Sequence, residues 1–412
     1  MDSKRMKKIM IITHQGLPVP SVGGGAVQQL ITNLLNVNEE KKKVKFIVTS
    51  CYDARASKIK FSYSKVYYFK NRIIRSPKSI YLLIRCIFWH IGNLIRGKKI
   101  TSLKRDPIGF YTFQHRYIAK KEKVDVVVLE NVPNSEVYAS LKDIVGEDNV
   151  YNHLHWVRVG KMNERQAVPN SISSGKYGKR EWVKEEPAFG NNYVLYDGIN
   201  IQDFSKPLPN RFAERKKIGF NEQDIVVLFC GRFVPEKGIS QLLEAFDRLI
   251  EHKDIKLLLI GSANYSKNIV TNYSKAIIEK ANKMENVVLL GYVPNEEMPK
   301  YYSVSDIITI PSLCHEAAGL VAIEGMAAGS PLIITQSGSM VEYVNDECAI
   351  KLPIDSELSN NLEKTIIELA ENASLREKMG EAGKKRALNY SSEIFYENFL
   401  KIFENNSSMN RL

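Results

Sequence analysis

PSLCHEAAGLVAIEGMAAGSP, residues 311–331, is the stretch on which the reading of this 412-residue chain turns. Just before it, Ile307-Ile308-Thr309-Ile310 is short, β-branched and stopped by a proline, which predicts a buried strand. The loop from Pro311 to Gly319 opens onto a predicted helix, Leu320 to Ala328, whose strong helix formers end at Gly329 and cannot continue through Pro331. A strand, a loop and a helix start, in that order, aim unpaired backbone N–H groups and the positive end of a helix at an anion. Two carboxylates flank that helix start, Glu316 in the loop and Glu324 in the second helical turn.

Their spacing limits what the pair can do. A hydrolase pair sets its carboxyl groups roughly 5 to 9 Å apart on opposite sides of one sugar bond. Glu316 and Glu324 are separated by a loop-to-helix junction, which suits a grip on different parts of one long ligand with phosphate at the helix end between them. The plain alternative is one loop glutamate and one helix glutamate with nothing in common. Ala317, Ala318, Gly319, Gly325 and Gly329 weigh against it, because small residues let backbone approach a ligand closely.

The run E-A-A-G-L-V-A-I-E-G-M-A-A-G-S-P resembles the E-x7-E signature of the retaining nucleotide-sugar glycosyltransferases of family 4, built on the GT-B fold. By that resemblance Glu316 contacts donor-sugar hydroxyls, the backbone of Gly319, Leu320 and Val321 holds the diphosphate, and Glu324 takes the ribose hydroxyls. Ala317-Ala318 departs from the aromatic or glycine the family carries after its first glutamate, which leaves the donor sugar open. Upstream, a strand at Ile225 to Cys230 leads into Gly231-Arg232-Phe233-Val234-Pro235-Glu236-Lys237-Gly238. Two cations on one short loop can neutralise a pyrophosphate leaving group, Arg by a forked contact and Lys as a point charge. The same loop resembles the family's G-R-x-x-x-E-K-G signature, which implies that Arg232 and Lys237 bind the donor diphosphate.

The first half carries weaker signals. HQGLPVPSVGGGAVQQLITNLL places three glycines between a first strand, Lys8 to Thr13, and a helix whose Val27, Leu30, Ile31 and Leu34 share one face. It is not G-x-G-x-x-G, which disfavours a nicotinamide cofactor. Its wording resembles the spore-coat and lipopolysaccharide branch of bacterial glycosyltransferases, and that likeness selects Gly24 and Gly25 to close over donor or acceptor. The predicted strand Asn149 to Leu154 runs into YNHLHW, and a histidine at the carboxyl edge of an open α/β sheet lies where ligands bind. The family places a histidine there, near the donor's anomeric centre; the match favours His155, with His153 second, and Trp156 departs from it. NNYVLYDGINIQDF resembles the family's linker strand, with Asp197 in place of the usual asparagine.

Length predicts two domains. The β-α alternation predicts an α/β chain, read with the resemblance as two Rossmann-like doubly wound domains facing across a cleft. Residues 1–205 form the acceptor-side domain and 206–390 the nucleotide-sugar domain, and a helix at about 391–412 returns to the first, as in relatives. Five scattered cysteines with no C-x-x-C argue against a disulfide framework or zinc site and fit a reducing cytoplasm. The N-terminus reads as a first strand rather than a signal peptide.

Net charge is +12, and residues 56–123 hold 17 Lys and Arg against Asp106 and Glu122, so the rest of the chain sums to −3. Ile80 to Ile95 is apolar but falls short of the roughly 20 residues a spanning helix needs. An amphipathic helix on an anionic membrane surface leads over an ordinary helix with a solvated basic face, and no motif supports nucleic acid.

The functional expectation is a retaining glycosyltransferase that moves a sugar from a UDP- or GDP-sugar to a glycan or lipid-linked acceptor in bacterial surface polysaccharide or glycoconjugate synthesis. His155, Glu316, Arg232 and Lys237 form its catalytic set. No D-x-D occurs, so neither a metal nor a separate cofactor is expected, and the enzyme is placed in the cytoplasm or on the inner face of the membrane. The alternatives are a GT-B sugar-nucleotide epimerase and a non-catalytic nucleotide- or carbohydrate-binding module of a wall-assembly complex.

Overall fold

The structure, a computed structural model, describes residues 5–13, 16–69, 84–89, 91–92, 95, 110–131, 135–157, 168–185, 190–263 and 270–409. Among the described residues, two parallel sheets carry the chain. The first has seven strands in the order β3-β2-β1-β4-β5-β6-β7: β1 Lys8–Ile12, β2 Lys45–Cys51, β3 Ser64–Phe69, β4 Val126–Glu130, β5 Val150–Leu154, β6 Asn170–Ser173 and β7 Asn192–Val194. The second has six in the order β10-β9-β8-β11-β12-β13: β8 Ile225–Cys230, β9 Ile255–Ile260, β10 Val287–Gly291, β11 Ile307–Ile310, β12 Leu332–Thr335 and β13 Ala349–Leu352.

Burial on both faces explains the near-continuous apolar runs of the central strands. Ile9, Ile11, Val126 and Val128 point to one face, onto the helix Ala26–Lys41 and the C-terminal helix Ser392–Met409. Met10, Ile12, Val127 and Leu129 point to the other, onto the helices Phe110–Glu122 and Ser135–Val145. The second sheet repeats this with Val226 and Leu228 against Val227 and Phe229. In each sheet the strand order reverses beside the first strand, between β1 and β4 and between β8 and β11. Such a reversal opens a crevice at the carboxyl ends of the strands, and the two crevices face each other.

Two strands fall in stretches with no strand signal. β3 lies inside the basic segment, where an edge position lets lysine remain at Lys65 while Ser64 is buried. β6, NSIS, lies in the polar stretch before the linker and reads as loop until its polar atoms are paired; Asn170 Nδ2 donates to the Val150 carbonyl at 3.2 Å. Of the basic segment, residues 70–83, 90, 93–94 and 96–109 lie outside the described residues.

The chain crosses between the sheets twice, side by side. Ile199 pairs with Ser391, with Ile199 N donating to the Tyr390 carbonyl at 3.0 Å and Ser392 N to the Ile199 carbonyl at 2.8 Å. Only glycine fits beside them, because a Cβ on Gly198 would meet the Ser391 oxygen at 2.7 Å. Beyond the crossing, Phe395, Tyr396, Phe399 and Phe403 enter the first sheet's core, and Tyr396 Oη donates to Asn38 Oδ1 at 2.7 Å. Phe399 is 0% exposed. Phe399→Ala costs about 3–5 kcal/mol, read as a lowered urea midpoint; an unchanged midpoint would mean that the helix adds nothing to this lobe.

Candidate functional site

The helix Leu320–Ala328 begins at Gly319, whose N-cap position holds no side-chain hydrogen bond, so its first amides remain available toward the space in front of it. It ends at Gly329 in the left-handed conformation, whose N–H returns to the Gly325 and Met326 carbonyls. Gly319, Leu320 and Val321 line a cleft of about 1310 Å³ between the two sheets' carboxyl edges.

Glu316 stands at the mouth of this helix start, its Oε1 accepting from Ser312 Oγ at 2.5 Å and pairing with Lys237 Nζ. The turn after β12 clamps its backbone: Ser339 N donates to the Glu316 carbonyl at 2.7 Å, and Glu316 N donates to Ser337 Oγ at 3.2 Å. Gly338 makes this approach available, with φ at 55° and a Cβ position only 2.3 Å from the Glu316 oxygen. Lys237 ends a 3-10 turn, Pro235–Lys237, that follows β8. Arg232, on the same loop, lies 3.6 Å from Glu236 with 39% of its side chain exposed, so it can turn to a ligand.

Glu324 also lines the cleft, and Tyr302 Oη donates to its Oε2 at 2.5 Å. Burial raises the Glu324 carboxyl to about 7, and the tyrosine's hydrogen bond opposes the rise.

The opposite wall comes from the first sheet. Gly24 and Gly25 line it, and a Cβ on Gly24 would stand 3.5 Å from Tyr292 Oη of the other lobe. His155, just past β5, is held by Asn131 Oδ1, which accepts its N–H at 2.9 Å, and by Glu130 at the end of β4, whose Oε2 lies 2.6 Å from Nε2. Burial alone would raise the Glu130 carboxyl, but the two imidazoles hold it down at about 2. An ionised carboxylate only accepts, so His155 carries its proton on Nε2 and keeps Nδ1 for other partners. His153 is 1% exposed, and its Nδ1 sits 3.0 Å from the same Glu130 oxygen; of the two histidines, only His155 lines the cleft.

These three groups could hold a metal ion by residue type. Two ligand atoms each about 2.0 Å from a tetrahedral ion stand about 3.3 Å apart, whereas Glu130 and His155 approach to 2.6 Å, the distance of a hydrogen bond. Asp197, 2% exposed with Oδ1 unpartnered, completes this wall, its carboxyl pushed up to about 6 by burial.

Arg232, Lys237, Glu316, Gly319, Leu320, Val321 and Glu324 thus share one cleft with Gly24, Gly25 and His155. Glu130 escaped a functional reading although it is the one charge at the end of VDVVVLE, a legible signal. Tyr302 sits in KYYSVS, which gives none.

The Glu342 carboxylate accepts from the Lys176 and Tyr177 amides at 2.8 and 2.7 Å and from Tyr196 Oη at 2.8 Å. Those amides open the helix Lys176–Glu185, so the second lobe caps a helix of the first. Nearby, Tyr177 Oη lies 2.9 Å from His315 Nδ1 and Tyr343 Oη donates to the Ser174 carbonyl at 2.6 Å.

A family model described as glycosyl transferases group 1 matches residues 210–386. Uncharacterized glycosyltransferase MJ1178 of Methanocaldococcus jannaschii is 31% identical over 361 residues, covering 80% of this chain and 97% of that relative. Spore coat protein SA of Bacillus subtilis is 25% identical over 416 residues, covering 97% of this chain and 100% of its own. Among solved structures, Anabaena HepE in complex with UDP and glucose has a TM-score of 0.70 at 16% identity, covering 96% of this chain and 99% of that one. The shared architecture is GT-B.

Glu342→Ala strips the cap from the Lys176–Glu185 helix and costs about 1–3 kcal/mol. The measurement is a thermal melt, expected to fall by several degrees; an unchanged midpoint would show that the lobes are held together without this carboxylate.

Proposed function

The chain belongs to the group 1 glycosyltransferases, and we propose that it transfers a sugar from a nucleotide-sugar donor, UDP- or GDP-linked, to a glycan or lipid-linked acceptor with retention of anomeric configuration. The observation that carries this reading is the convergence of Lys237, Arg232, Glu316 and the uncapped start of the helix Leu320–Ala328 on one cleft, opposite His155. As the sugar–phosphate bond breaks, negative charge builds on the departing diphosphate. Arg232, Lys237 and the amides of Gly319, Leu320 and Val321 are the groups proposed to stabilise it, by contacts that strengthen in the transition state.

Glu316 and His155 hold the sugar, Glu324 holds the ribose hydroxyls, and Gly24 and Gly25 bring backbone close from the first lobe. This division of labour asks for no metal, because fixed cations and backbone N–H groups already meet the leaving charge. The acceptor hydroxyl enters from the first lobe, residues 1–205, and the donor from the second, 206–390. The complex of HepE with UDP and glucose supports a nucleoside diphosphate as the ligand class.

Lys237→Ala should weaken UDP or GDP binding by about tenfold or more, the loss of one charge-assisted contact, and lower transfer from the matching sugar nucleotide by about a hundredfold or more. Titration calorimetry and a donor-consumption assay check the two effects. Transfer that survives both Lys237→Ala and Glu316→Gln would overturn these residue roles, and a parent that binds UDP or GDP but transfers no sugar would leave a binding module.

A second observation supports contact with a membrane surface. Ile84, Ile87, Phe88, Ile91 and Ile95 are 48%, 51%, 69%, 46% and 81% exposed and fall at helical spacing, so they form one apolar stripe. On the inner side Cys86 packs against Phe113, and Lys120 and Lys121 line the adjoining groove. Each large side chain withdrawn from water contributes about 1.5–3 kcal/mol, and the basic rim suits anionic lipid. No helix among the described residues is long and apolar enough to cross a membrane. In flotation with vesicles containing phosphatidylglycerol, the parent is expected to rise with the lipid and the Phe88→Glu/Ile91→Glu variant to stay behind; equal behaviour of the two would end the membrane reading.

A further inference from the structure

We propose that Tyr302 is a positioning residue that sets the Glu324 carboxylate to receive a vicinal diol and so makes the cleft select ribonucleotides over 2′-deoxyribonucleotides. This rests on the nucleoside diphosphate reading above. Tyr302 lies in the helix Met298–Val304 and is 0% exposed. Its ring stands edge-on to Phe204 at 5.3 Å, which fixes the direction of its hydroxyl. That hydroxyl lies 3.0 Å from Cys230 Sγ and 2.5 Å from Glu324 Oε2.

The chain of donors has one direction. As a carboxylate, Glu324 can only accept, so the tyrosine proton is committed to Oε2 and the Cys230 thiol is left to donate to the tyrosine oxygen. One lone pair of Oε2 is thereby taken from beneath. Glu324 lines the cleft, and its remaining lone pairs are left for a ligand there, enough for two hydroxyl donors side by side. A buried carboxylate built to receive two hydroxyls rejects an analogue lacking one, because an acceptor is then left unpaired.

The groups facing this carboxyl are Tyr302 from its helix and Cys230 from the end of β8, and burial keeps both uncharged at neutral pH. Burial lifts the Glu324 carboxyl and the Tyr302 hydrogen bond opposes that lift. Removing the hydroxyl therefore raises the carboxyl further, so protonation, and with it loss of the diol acceptor, begins at higher pH.

Tyr302→Phe keeps the ring and deletes only the oxygen. UDP, GDP and their 2′-deoxy forms are titrated into parent and variant by calorimetry between about pH 6 and 8.5, spanning the ordinary and raised carboxyl range. The parent is expected to prefer the ribonucleotide by about tenfold, the cost of one unmet buried acceptor. In the variant, ribonucleotide affinity falls about tenfold while the deoxy form changes little. The pH at which affinity declines moves upward.

Equal losses for both forms with no movement of the pH profile would assign Tyr302 a merely structural role and overturn the proposal. An unchanged variant would overturn it as well. A parent that binds none of the four nucleotides would remove the nucleotide reading itself. Cys230→Ala, which withdraws the donor behind the tyrosine, is expected to narrow the preference in the same direction by a smaller factor; it supplies the test should the phenylalanine variant fail to fold.

Discussion

Parallel strands end together, and that constraint governs the molecule. Every crossover helix returns the chain to the same edge, so all loops after the strands collect on one side of each sheet. With two such sheets set edge toward edge, the loops after β4, β5, β8 and β11 meet around one cleft without any long excursion of the chain. The chemistry then depends on which residues occupy strand ends. Glu130 and His155 at one set of ends, and Arg232, Lys237 and Glu316 at the other, are neighbours because their strands stop there.

The cleft's charges are largely compensated before any ligand enters. Lys237 is paired with Glu316, Arg232 lies near Glu236, and Glu130 lies against two imidazoles. On the proposed reading, an arriving diphosphate competes with Glu316 for the Lys237 ammonium and releases that carboxylate toward the sugar. Binding and orientation of the two ends of the donor become one event. Glu324 and Asp197 hold their protons more tightly than usual, because burial outweighs the Tyr302 hydrogen bond at Glu324 and the His155 imidazole near Asp197. Both stand where a ligand's hydroxyl groups could complete them.

The fold was legible where apolar runs are continuous and bounded by glycine or proline. β8 and β11 read directly from IVVLFC and IITI. β6 was not legible, since NSIS carries no apolar periodicity and becomes a strand only when its neighbours take up its polar groups. β3 was hidden by the lysines an edge strand tolerates. Within the site, residues carried by a local pattern were visible, among them Glu316, Glu324, Arg232 and Lys237. Tyr302 and Glu342 were not, because each acts on a partner far away in sequence: Tyr302 on Glu324 and Cys230, Glu342 on the first amides of a helix in the other lobe. Local spacing reports what a loop can do alone; it is silent on what a distant side chain does to it.

The paired crossing at Ile199 and Ser391 has a mechanical consequence. Two connections hydrogen-bonded side by side act like the pins of a single door hinge. The lobes can swing about that line while those bonds stay intact, whereas sliding or twisting apart would tear them. An opening that keeps those bonds is confined to that line, and it must also carry or break the bonds that Glu342 and Tyr343 make to the first lobe.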